Sequence, residues 1–242
     1  MSAPEHVATA RIWDLPTRLL HWTLTLLVLG SFITAEFHWP DIHMPGRDLP
    51  HMTLHIWCGY GILVLVLFRI VWGFVGSSTS RFTRFVRGPR AIIAYARGLL
   101  RKPGPFVTGH NPLGALMVVA LLAALLAQTI TGLFTKDEDD FLGIAVGPLH
   151  NTVSAEMGTK LSHLHHIGHE LIADLVYLHI LANLFYWLVR REDLIAAMVS
   201  GDRRVPTGEM AMPVDIVSTR RAWIVVGLSA AVVWGALAWL RG

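Results

Sequence analysis

Five long apolar stretches constrain this chain more than any other feature of its sequence. They cover residues 15–37, 52–75, 112–135, 164–189 and 222–240. Each stretch holds roughly the 20 residues that a helix needs to cross a hydrocarbon core about 30 Å thick. Only 15% of the 242 residues are charged, whereas about 25% are charged in a typical soluble domain. The sequence therefore predicts an all-α integral membrane protein with five transmembrane helices.

Positive charge is distributed unevenly among the loops that connect these stretches. The second and fourth connecting loops carry most of it, namely Arg81, Arg84, Arg87, Arg90, Arg97, Arg101, Lys102, Arg190, Arg191, Arg203, Arg204, Arg220 and Arg221. The other two loops hold only Arg47, Lys136 and Lys160. By the positive-inside rule the arginine-rich loops and the N-terminus face the cytoplasm, and the C-terminus is periplasmic. We therefore expect a multi-pass protein of a bacterial inner membrane, whose net charge of +3 reflects topology and not nucleic-acid binding.

Two shorter segments refine this topology. Residues 1–20 lack the basic start, apolar core and small-residue cleavage site of a signal peptide, so the first stretch is expected to stay as an uncleaved span. The segment from Pro89 to Leu100 places apolar residues at helical spacing among arginines. It is expected to form a short amphipathic helix on the cytoplasmic membrane surface.

Four of the 13 histidines lie at depths where an ionisable side chain is expected to be functional. They are His21, His55, His165 and His179. His165 and His179 are 14 residues apart on the fourth stretch, which places them within roughly 40° of each other and about 21 Å apart along a helix. The alternating directions of the spans bring His55 to the depth of His165 and His21 to that of His179. Two pairs of imidazoles at two depths are expected to hold two haem irons.

The sequence also limits the kind of haem. The single cysteine, Cys58, excludes the Cys-x-x-Cys-His motif of covalent attachment, so any haem is b-type and is held by ligation and packing. Small residues beside the ligands would let a flat macrocycle approach the backbone. They are Gly30, Gly59, Gly61 and Gly132. For each single histidine a hydrogen-bonded packing role is the alternative, and His166 is the alternative external ligand.

Several motifs of this chain resemble those of one known family. The chain opens with Arg11-Ile-Trp-Asp-Leu-Pro-Thr-Arg-Leu-Leu-His21-Trp and continues with Leu54-His55-Ile-Trp-Cys-Gly59-Tyr60 and Arg69-Ile-Val-Trp72-Gly73. Gly109-His-Asn-Pro-Leu-Gly114, Thr131-Gly132, and Leu164-His165-His166 with His179 follow. Together, over residues 8–201, these motifs are similar to those of the bacterial cytochrome b561 family, which includes the b-type cytochrome subunits of nickel-iron hydrogenases.

The resemblance implies a four-helix transmembrane bundle with two b haems that moves electrons between a quinone pool and a redox partner. The positions that match the family's haem ligands are His21, His55, His165 and His179. Residues 8–201 would then form the di-haem core of a single membrane domain, residues 1–242. Residues 202–242 would supply a cytoplasmic linker and a fifth helix, which the usual four-helix pattern lacks.

Four polar residues toward the cytoplasmic side suggest contacts with cofactors. Arg18 and Arg69 could pair with the propionates of the cytoplasmic haem, and snorkelling to the interface is the alternative for both. His110 and Asn111, at the start of the third span, could bind quinone. Asn111 could instead cap the helix that starts with Pro112, and the two roles are compatible.

The external loops carry further candidate residues. Asp137, Glu138, Asp139 and Asp140 form an acidic run that could attract a basic partner, such as a periplasmic c-type cytochrome, or could be only a solvated loop. External histidines could bind a transition metal, although such loop histidines more often occupy wet interfaces. They are His38, His43, His51, His150, His163 and His169.

Three functions remain open on the sequence. Bis-histidine ligation leaves no open iron position, which favours an electron-transfer subunit of a quinone-linked oxidoreductase, with a periplasmic c-type cytochrome or a hydrogenase-like subunit as partner. The second function is a stand-alone superoxide:quinone oxidoreductase. The third is a haem-free, histidine-lined transporter of metal ions or protons.

Overall fold

A computed structural model describes residues 9–37, 42–44, 47–49, 51–100, 107–136, 146–205 and 210–241. Within these ranges the helices are α1 (Leu15–Glu36), α2 (His51–Val75), α3 (Phe82–Phe85), α4 (Pro89–Gly98), α5 (Pro112–Gly132), α6 (Ala155–Phe185), α7 (Leu194–Ser200) and α8 (Thr219–Arg241). The strands are β1 (Thr9–Arg11), β2 (Ile42–Met44), β3 (Arg47–Leu49) and β4 (Asp202–Arg204). β1 pairs with β4 and β2 with β3, both antiparallel.

Five of these helices are long and apolar enough to cross a membrane, namely α1, α2, α5, α6 with the turn that follows it, and α8. The prediction of an all-α membrane protein with five spans is therefore confirmed. The fourth helix is longer than expected, because it begins at Ala155 and not near residue 164. The Ser154 hydroxyl accepts the N–H of Met157, and Lys160 bonds Glu156 one turn away at 2.6 Å. Such local bonds support helix in water, where the hydropathy of the sequence gives no signal.

The loop between the second and third spans contains the short helix that the sequence predicts. α4 runs from Pro89 to Gly98, and none of its side chains is fully buried. Pro89 occupies the first helical position, where its fixed φ and missing N–H cost nothing. A short 3₁₀ turn at Ser78–Ser80 and the one-turn helix α3 precede it.

The end of α6 has an unusual geometry. Tyr186–Arg190 forms a π-helical turn, a wider form of helix that is often found at functional sites. Arg191 then adopts the left-handed conformation at φ 59°, and Arg191 donates its N–H to the carbonyl of Tyr186. This turn brings the buried Tyr186 side chain into the polar network described below.

The described helices and loops form two compact units. The first unit comprises Met1–Leu19, Ile70–Ala120 and Leu175–Trp223, and the second comprises Leu20–Arg69, Leu121–Asp174 and Ile224–Gly242.

The N-terminal segment of the chain is fixed inside the first unit. Ile12 and Trp13 are buried with Ala197 of α7, and both of their N–H groups donate to the carbonyl of Gly201. Gly201 has φ +90°, and a Cβ there would lie 2.8 Å from the carbonyl oxygen of Trp13, so only glycine fits this close approach. Asp14 caps α1 by accepting the N–H of Thr17 at 2.7 Å. The start of the first span is therefore held in place by the segment that follows α7.

The second unit contains the packing of the fifth span. Val233 and Leu237 of α8 are buried against Tyr60 of α2. The ring of Tyr60 lies 5.1 Å from that of Trp234, and Arg241 donates to the Tyr60 hydroxyl at 2.9 Å. The additional helix therefore packs on α2.

Candidate functional site

Two of the four histidines singled out in the sequence meet in the second unit. His55 of α2 and His165 of α6 have ring centroids 6.3 Å apart, with the ring planes at 81°. Both residues are half-buried. The structure thus brings these two residues close together within this unit.

Both rings are oriented by backbone carbonyls. Nδ1 of His55 lies 3.0 Å from the carbonyl oxygen of Ser31, and Nδ1 of His165 lies 3.0 Å from that of Gln128. Because a carbonyl oxygen can only accept, each neutral imidazole carries its hydrogen on Nδ1. The lone pair then lies on Nε2, which is the arrangement that a metal-binding imidazole requires.

A cavity in the same unit is lined by Ser31 and Gln128, the two residues whose carbonyls orient these histidines, and not by the histidines themselves. Its empty volume is about 420 Å³, part of it open to the outside. It is lined mainly by apolar side chains together with Ser31, Gln128, Thr129 and His169. Gly59 also lines it, and a Cβ at Gly59 would meet no atom within 4 Å. The unit thus contains two oriented imidazoles and a space of mostly apolar character.

The four glycines expected to admit a macrocycle have different surroundings. Gly59 faces the cavity, and a Cβ at Gly132 would lie 2.8 Å from Cε1 of His165. Gly30 and Gly61 instead allow α1 and α2 to pack closely, because Cβ atoms there would meet Cys58 at 3.3 Å and Leu27 at 2.8 Å. For these last two the role seen in the second unit is helix packing.

The histidines that neighbour His165 have other surroundings. His166 is exposed. Nε2 of His169 lies 2.9 Å from a carboxylate oxygen of Glu36, and its ring packs on Phe32 at 4.3 Å. These positions agree with His165 and not His166 as the partner of His55.

The other two predicted ligands belong to different units. His21 lies on α1 in the second unit, with its ring edge-on to Trp22 at 5.0 Å. His179 lies on α6 in the first unit, where Nδ2 of Asn183 approaches its Nε2 at 3.4 Å. Both are half-buried.

The proposed quinone residues lie in the first unit beside aromatic rings. The ring of His110 lies 4.6 Å from Trp13 and 4.5 Å from Phe85. Asn111 caps α5, because its Oδ1 accepts the N–H of Gly114 at 2.8 Å. The capping interpretation of Asn111 is therefore confirmed. Its amide nitrogen donates to the hydroxyl of Tyr186 at 3.0 Å.

The two arginines proposed for propionates differ in their surroundings. Arg18 donates to the carbonyl oxygen of Val199 in the first unit. Arg69 is only 5% exposed in the second unit, so its side chain does not snorkel outward.

Sequence reasoning did not identify a second polar cluster in the first unit. Glu192 accepts from Arg190 at 3.4 Å and from Arg203 at 2.5 Å, and Arg203 also donates to the carbonyl of Val107 at 2.8 Å. The two arginine side chains are 6% and 11% exposed. The sequence shows only their positive charge, which indicates the topology of the chain and not the carboxylate with which each arginine pairs.

Some predicted external residues fall outside the described part of the chain. These are the acidic run Asp137, Glu138, Asp139 and Asp140, with His38 and the side chains of His43 and His51. Among the described residues, His150 bonds the carbonyl of Gly147 at 2.8 Å and His163 is exposed. Within the described ranges, no group of three or more histidine, cysteine or acidic side chains is placed so that it could hold a metal ion.

The sequence model described as prokaryotic cytochrome b561 matches residues 12–201, which include all four candidate histidines. The chain belongs to the prokaryotic cytochrome b561 family. Helix α8 of this cytochrome b561 lies beyond the matched region. No solved structure gives a significant match.

This cytochrome b561 is also similar to curated proteins. It is 26% identical over 214 residues to the "Probable Ni/Fe-hydrogenase B-type cytochrome subunit" of Rhizobium leguminosarum bv. viciae, covering 79% of this chain and 87% of the relative. It is 25% identical over 210 residues to the protein of that name from Azotobacter chroococcum mcd 1, with the same two coverages. The "Probable Ni/Fe-hydrogenase 1 B-type cytochrome subunit" of Escherichia coli K12 is 23% identical over 227 residues, covering 86% of this chain and 96% of the relative.

Membership of the cytochrome b561 family makes this chain a multi-pass membrane protein of electron transport that carries haem b. It argues against the haem-free transporter that the histidines alone left open.

The pair of His55 and His165 fits such a group. Two imidazoles bonded at about 2.0 Å to opposite sides of one metal ion have ring centroids about 6.3 Å apart. The observed separation is 6.3 Å. Nε2 of His165 accepts from the side-chain amide nitrogen of Gln128 at 3.3 Å, and this bond would be exchanged for the one to iron. Two histidines at this separation are a donor set that could hold one haem iron.

Proposed function

We propose that this cytochrome transfers electrons across the membrane between the quinone pool and a redox partner, using two b haems. Haem supplies reversible one-electron transfer when it is bound. The protein's own contribution is to hold each macrocycle by two imidazoles, which leaves no iron position for a substrate. The observation that carries this proposal is the pair of His55 and His165.

We assign the external haem to His55 and His165. Their ring separation of 6.3 Å and the carbonyl bonds to both Nδ1 atoms support this assignment. Gly59 lines the cavity in the same unit. Because ring orientation is fixed by backbone, little conformational entropy is lost when the group binds.

We assign the second haem to His21 and His179. This assignment rests on the sequence, which puts both residues at one depth near the arginine-rich side. Arg18 and Arg69 remain candidates for its propionates. The same charge pattern supports an inner-membrane protein with a cytoplasmic N-terminus and a periplasmic C-terminus. The proposed protein is one membrane domain, residues 1–242, around the di-haem core 8–201.

The quinone site is proposed at His110 and Asn111 in the first unit. Aromatic rings on both sides of His110 supply an apolar setting for a quinone ring, and the Asn111 amide supplies a hydrogen-bond donor. Such a mixture of apolar surface and a few polar groups is typical of small-molecule sites.

The redox partner is proposed to be a hydrogenase-like subunit. This proposal is supported by the names of three relatives, which are probable B-type cytochrome subunits of Ni/Fe-hydrogenases. This chain aligns with most of the length of each. A periplasmic c-type cytochrome that recognises the acidic run 137–140 is the other candidate.

Spectroscopy of the purified full chain tests the proposal. The reduced-minus-oxidised visible spectrum should contain b-haem bands, and a haemochrome assay should give two haems per chain. A quinol analogue such as decylubiquinol should reduce both haems. A colourless protein, or one haem per chain, would contradict the proposal.

A second assay separates a subunit from a stand-alone enzyme. Superoxide and decylubiquinone are supplied to the isolated chain, and quinol formation is followed. We expect no turnover without a partner protein. Sustained turnover would instead identify the superoxide:quinone oxidoreductase that the sequence also allows.

A further inference from the structure

A chain of hydrogen bonds in the first unit ends at the proposed quinone site. The hydroxyls of Tyr95 and Tyr186 lie 3.0 Å apart, and the amide nitrogen of Asn111 lies 3.0 Å from the Tyr186 hydroxyl. Tyr95 belongs to the surface helix α4, whereas Tyr186 opens the π-helical turn after α6. Two hydroxyls therefore connect the membrane surface to the beginning of α5.

The orientation of Asn111 determines how this chain can work. Its Oδ1 accepts the N–H of Gly114, so its amide group must point nitrogen first toward Tyr186. Tyr186 accepts that bond and keeps its own hydroxyl hydrogen to donate. The bond between the two tyrosines can run in either direction, because each hydroxyl both donates and accepts. A reversible bond of this kind is what proton transfer along a chain requires.

The outer end of the chain opens onto a second cavity. Its empty volume is about 300 Å³, partly open to solvent, and it is lined by Ala94, Tyr95, Gly98, Leu99 and Arg190. A water molecule occupies about 30 Å³ in the liquid. The cavity thus gives water access to the Tyr95 hydroxyl from the arginine-rich side of the protein.

The protonation state of Tyr95 suits a relay. Burial is the largest influence and raises the pKa of Tyr95 above its ordinary value of 10.0. The hydroxyl therefore remains neutral at physiological pH and can pass one proton on while it takes another.

We propose that Tyr95 and Tyr186 form a proton relay between water on the arginine-rich side and quinone bound at Asn111. The proposal rests on the quinone site proposed above. Reduction of a quinone takes up two electrons, which the cytochrome supplies, and two protons. A proton leaves the Tyr186 hydroxyl for a quinone oxygen, Tyr95 reprotonates Tyr186, and water in the cavity reprotonates Tyr95. The reverse order applies when quinol is oxidised, and the tyrosines are unchanged after each transfer.

The test uses the haem-loaded full chain with single hydroxyl deletions. Tyr186→Phe and Tyr95→Phe remove a hydroxyl and keep the ring, and Tyr177→Phe is the matched control, because Tyr177 is 67% exposed on the same helix α6. Reduced protein is mixed with decylubiquinone in H₂O and in D₂O. Three quantities are measured: the rate at saturating quinone, proton uptake with a pH-indicator dye, and the Kd of decylubiquinone by titration.

We expect the largest effect for Tyr186→Phe. Its saturating rate should fall at least about tenfold, at the lower edge of what positioned proton transfer contributes, and its solvent isotope effect should change. Its Kd should stay within about threefold of wild type, since a lost neutral hydrogen bond is worth about 1 kcal/mol or less. Tyr95→Phe should also slow the reaction and change the isotope effect, because Tyr186 then has no neighbouring hydroxyl from which to take a proton. Tyr177→Phe should match wild type.

Two results would overturn the relay. One is a Tyr186→Phe protein that binds quinone more weakly but reacts at the wild-type rate at saturation with an unchanged isotope effect, which would mean that Tyr186 only positions Asn111. The other is a wild-type rate and isotope effect in both variants. If Tyr186→Phe fails to load haem, an unchanged rate and isotope effect in Tyr95→Phe alone would be enough to overturn the relay. If wild-type protein holds haem but does not react with decylubiquinone, that result would instead contradict the proposed quinone site itself.

Discussion

The two units of this cytochrome use their polar groups in opposite ways. In the second unit the imidazoles of His55 and His165 bond backbone carbonyls through Nδ1, which leaves Nε2 as the ring atom that could bind a metal ion. In the first unit polar side chains bond one another, as Glu192 does with Arg203 and Asn111 with Tyr186. The polar groups of the histidine pair are oriented by the backbone, whereas those of the first unit are held by one another.

This difference explains why two regions of similar apolar composition have different expected sensitivities. Carbonyl-anchored imidazoles depend on the backbone of α1 and α5, so the site is preorganised without a network of side chains. The first unit depends on buried charges, which must stay paired because an unpaired buried charge is costly. Substitutions of the histidines should therefore affect haem content, and substitutions of the charged cluster should affect stability.

The largest effect is expected from the four candidate haem ligands. His55→Ala and His165→Ala should each lose the same haem, because an iron with one missing ligand is held by packing alone. His21→Ala and His179→Ala should lose the other haem. A haemochrome assay should therefore give one haem per chain for each of the four variants, and the residual spectrum should sort them into two pairs.

The matched control for this experiment is His166→Ala. His166 is exposed next to His165 on the same helix, so its removal should leave both haems in place. A common haem lost from the His21 and His55 variants would contradict the pairing.

The next largest effect is expected in the charged cluster of the first unit. Glu192→Gln leaves Arg190 and Arg203 without their shared carboxylate. Breaking a fully buried pair costs about 3–5 kcal/mol. Glu192 is 28% exposed, so we expect about 2–3 kcal/mol, seen as a lower unfolding temperature in detergent.

An exposed pair provides the control for this substitution. Arg11 and Asp202 are bonded at 2.6 Å but are 55% and 40% exposed. Arg11→Gln should therefore change the unfolding temperature much less than Glu192→Gln does. Equal losses in the two variants would refute the contrast between the units.

A smaller effect on haem content is expected from glycine substitutions beside the site. Gly132→Ala puts a Cβ 2.8 Å from the ring of His165, which must then turn away from its carbonyl partner. Haem content should fall partly, with a shifted spectrum. Gly61→Ala is the comparison, because its Cβ meets the flexible end of Leu27 at a similar 2.8 Å. A normal spectrum in Gly132→Ala would mean that the position of His165 tolerates displacement.

The spans and the histidine pair could be predicted because they depend on local and periodic features. Hydropathy marks the five membrane helices, and alternating span directions set the depths of His55 and His165. The start of α6 at Ala155 was missed because its first turns are polar. Its capping residue, Ser154, was present in the sequence as a signal.

The tyrosine chain and the charged cluster could not be predicted in the same way. Tyr95 and Tyr186 are 91 residues apart, and their contact depends on the π-helical turn after α6. The carbonyls that orient the histidines cannot be recognised in the sequence, because any residue at position 31 or 128 has a backbone carbonyl. Tertiary contacts of this kind depend on how elements pack and not on local patterns.

The smallest effect is expected from pH, at the exposed strand pair of the first unit. The hydrogen bond from Arg11 lowers the pKa of Asp202 below its ordinary value of 3.8. A lowered pKa in the folded state means that the pair contributes stability above about pH 4 and loses that contribution as the pH falls through the lowered pKa. The difference in unfolding temperature between wild type and Asp202→Asn should therefore be small near neutral pH and vanish in stronger acid. The double variant with Arg11→Gln should lose no more than either single variant, because both remove one interaction. A difference that persists unchanged in acid would show that the carboxylate stabilises β1 and β4 by some means other than its charge.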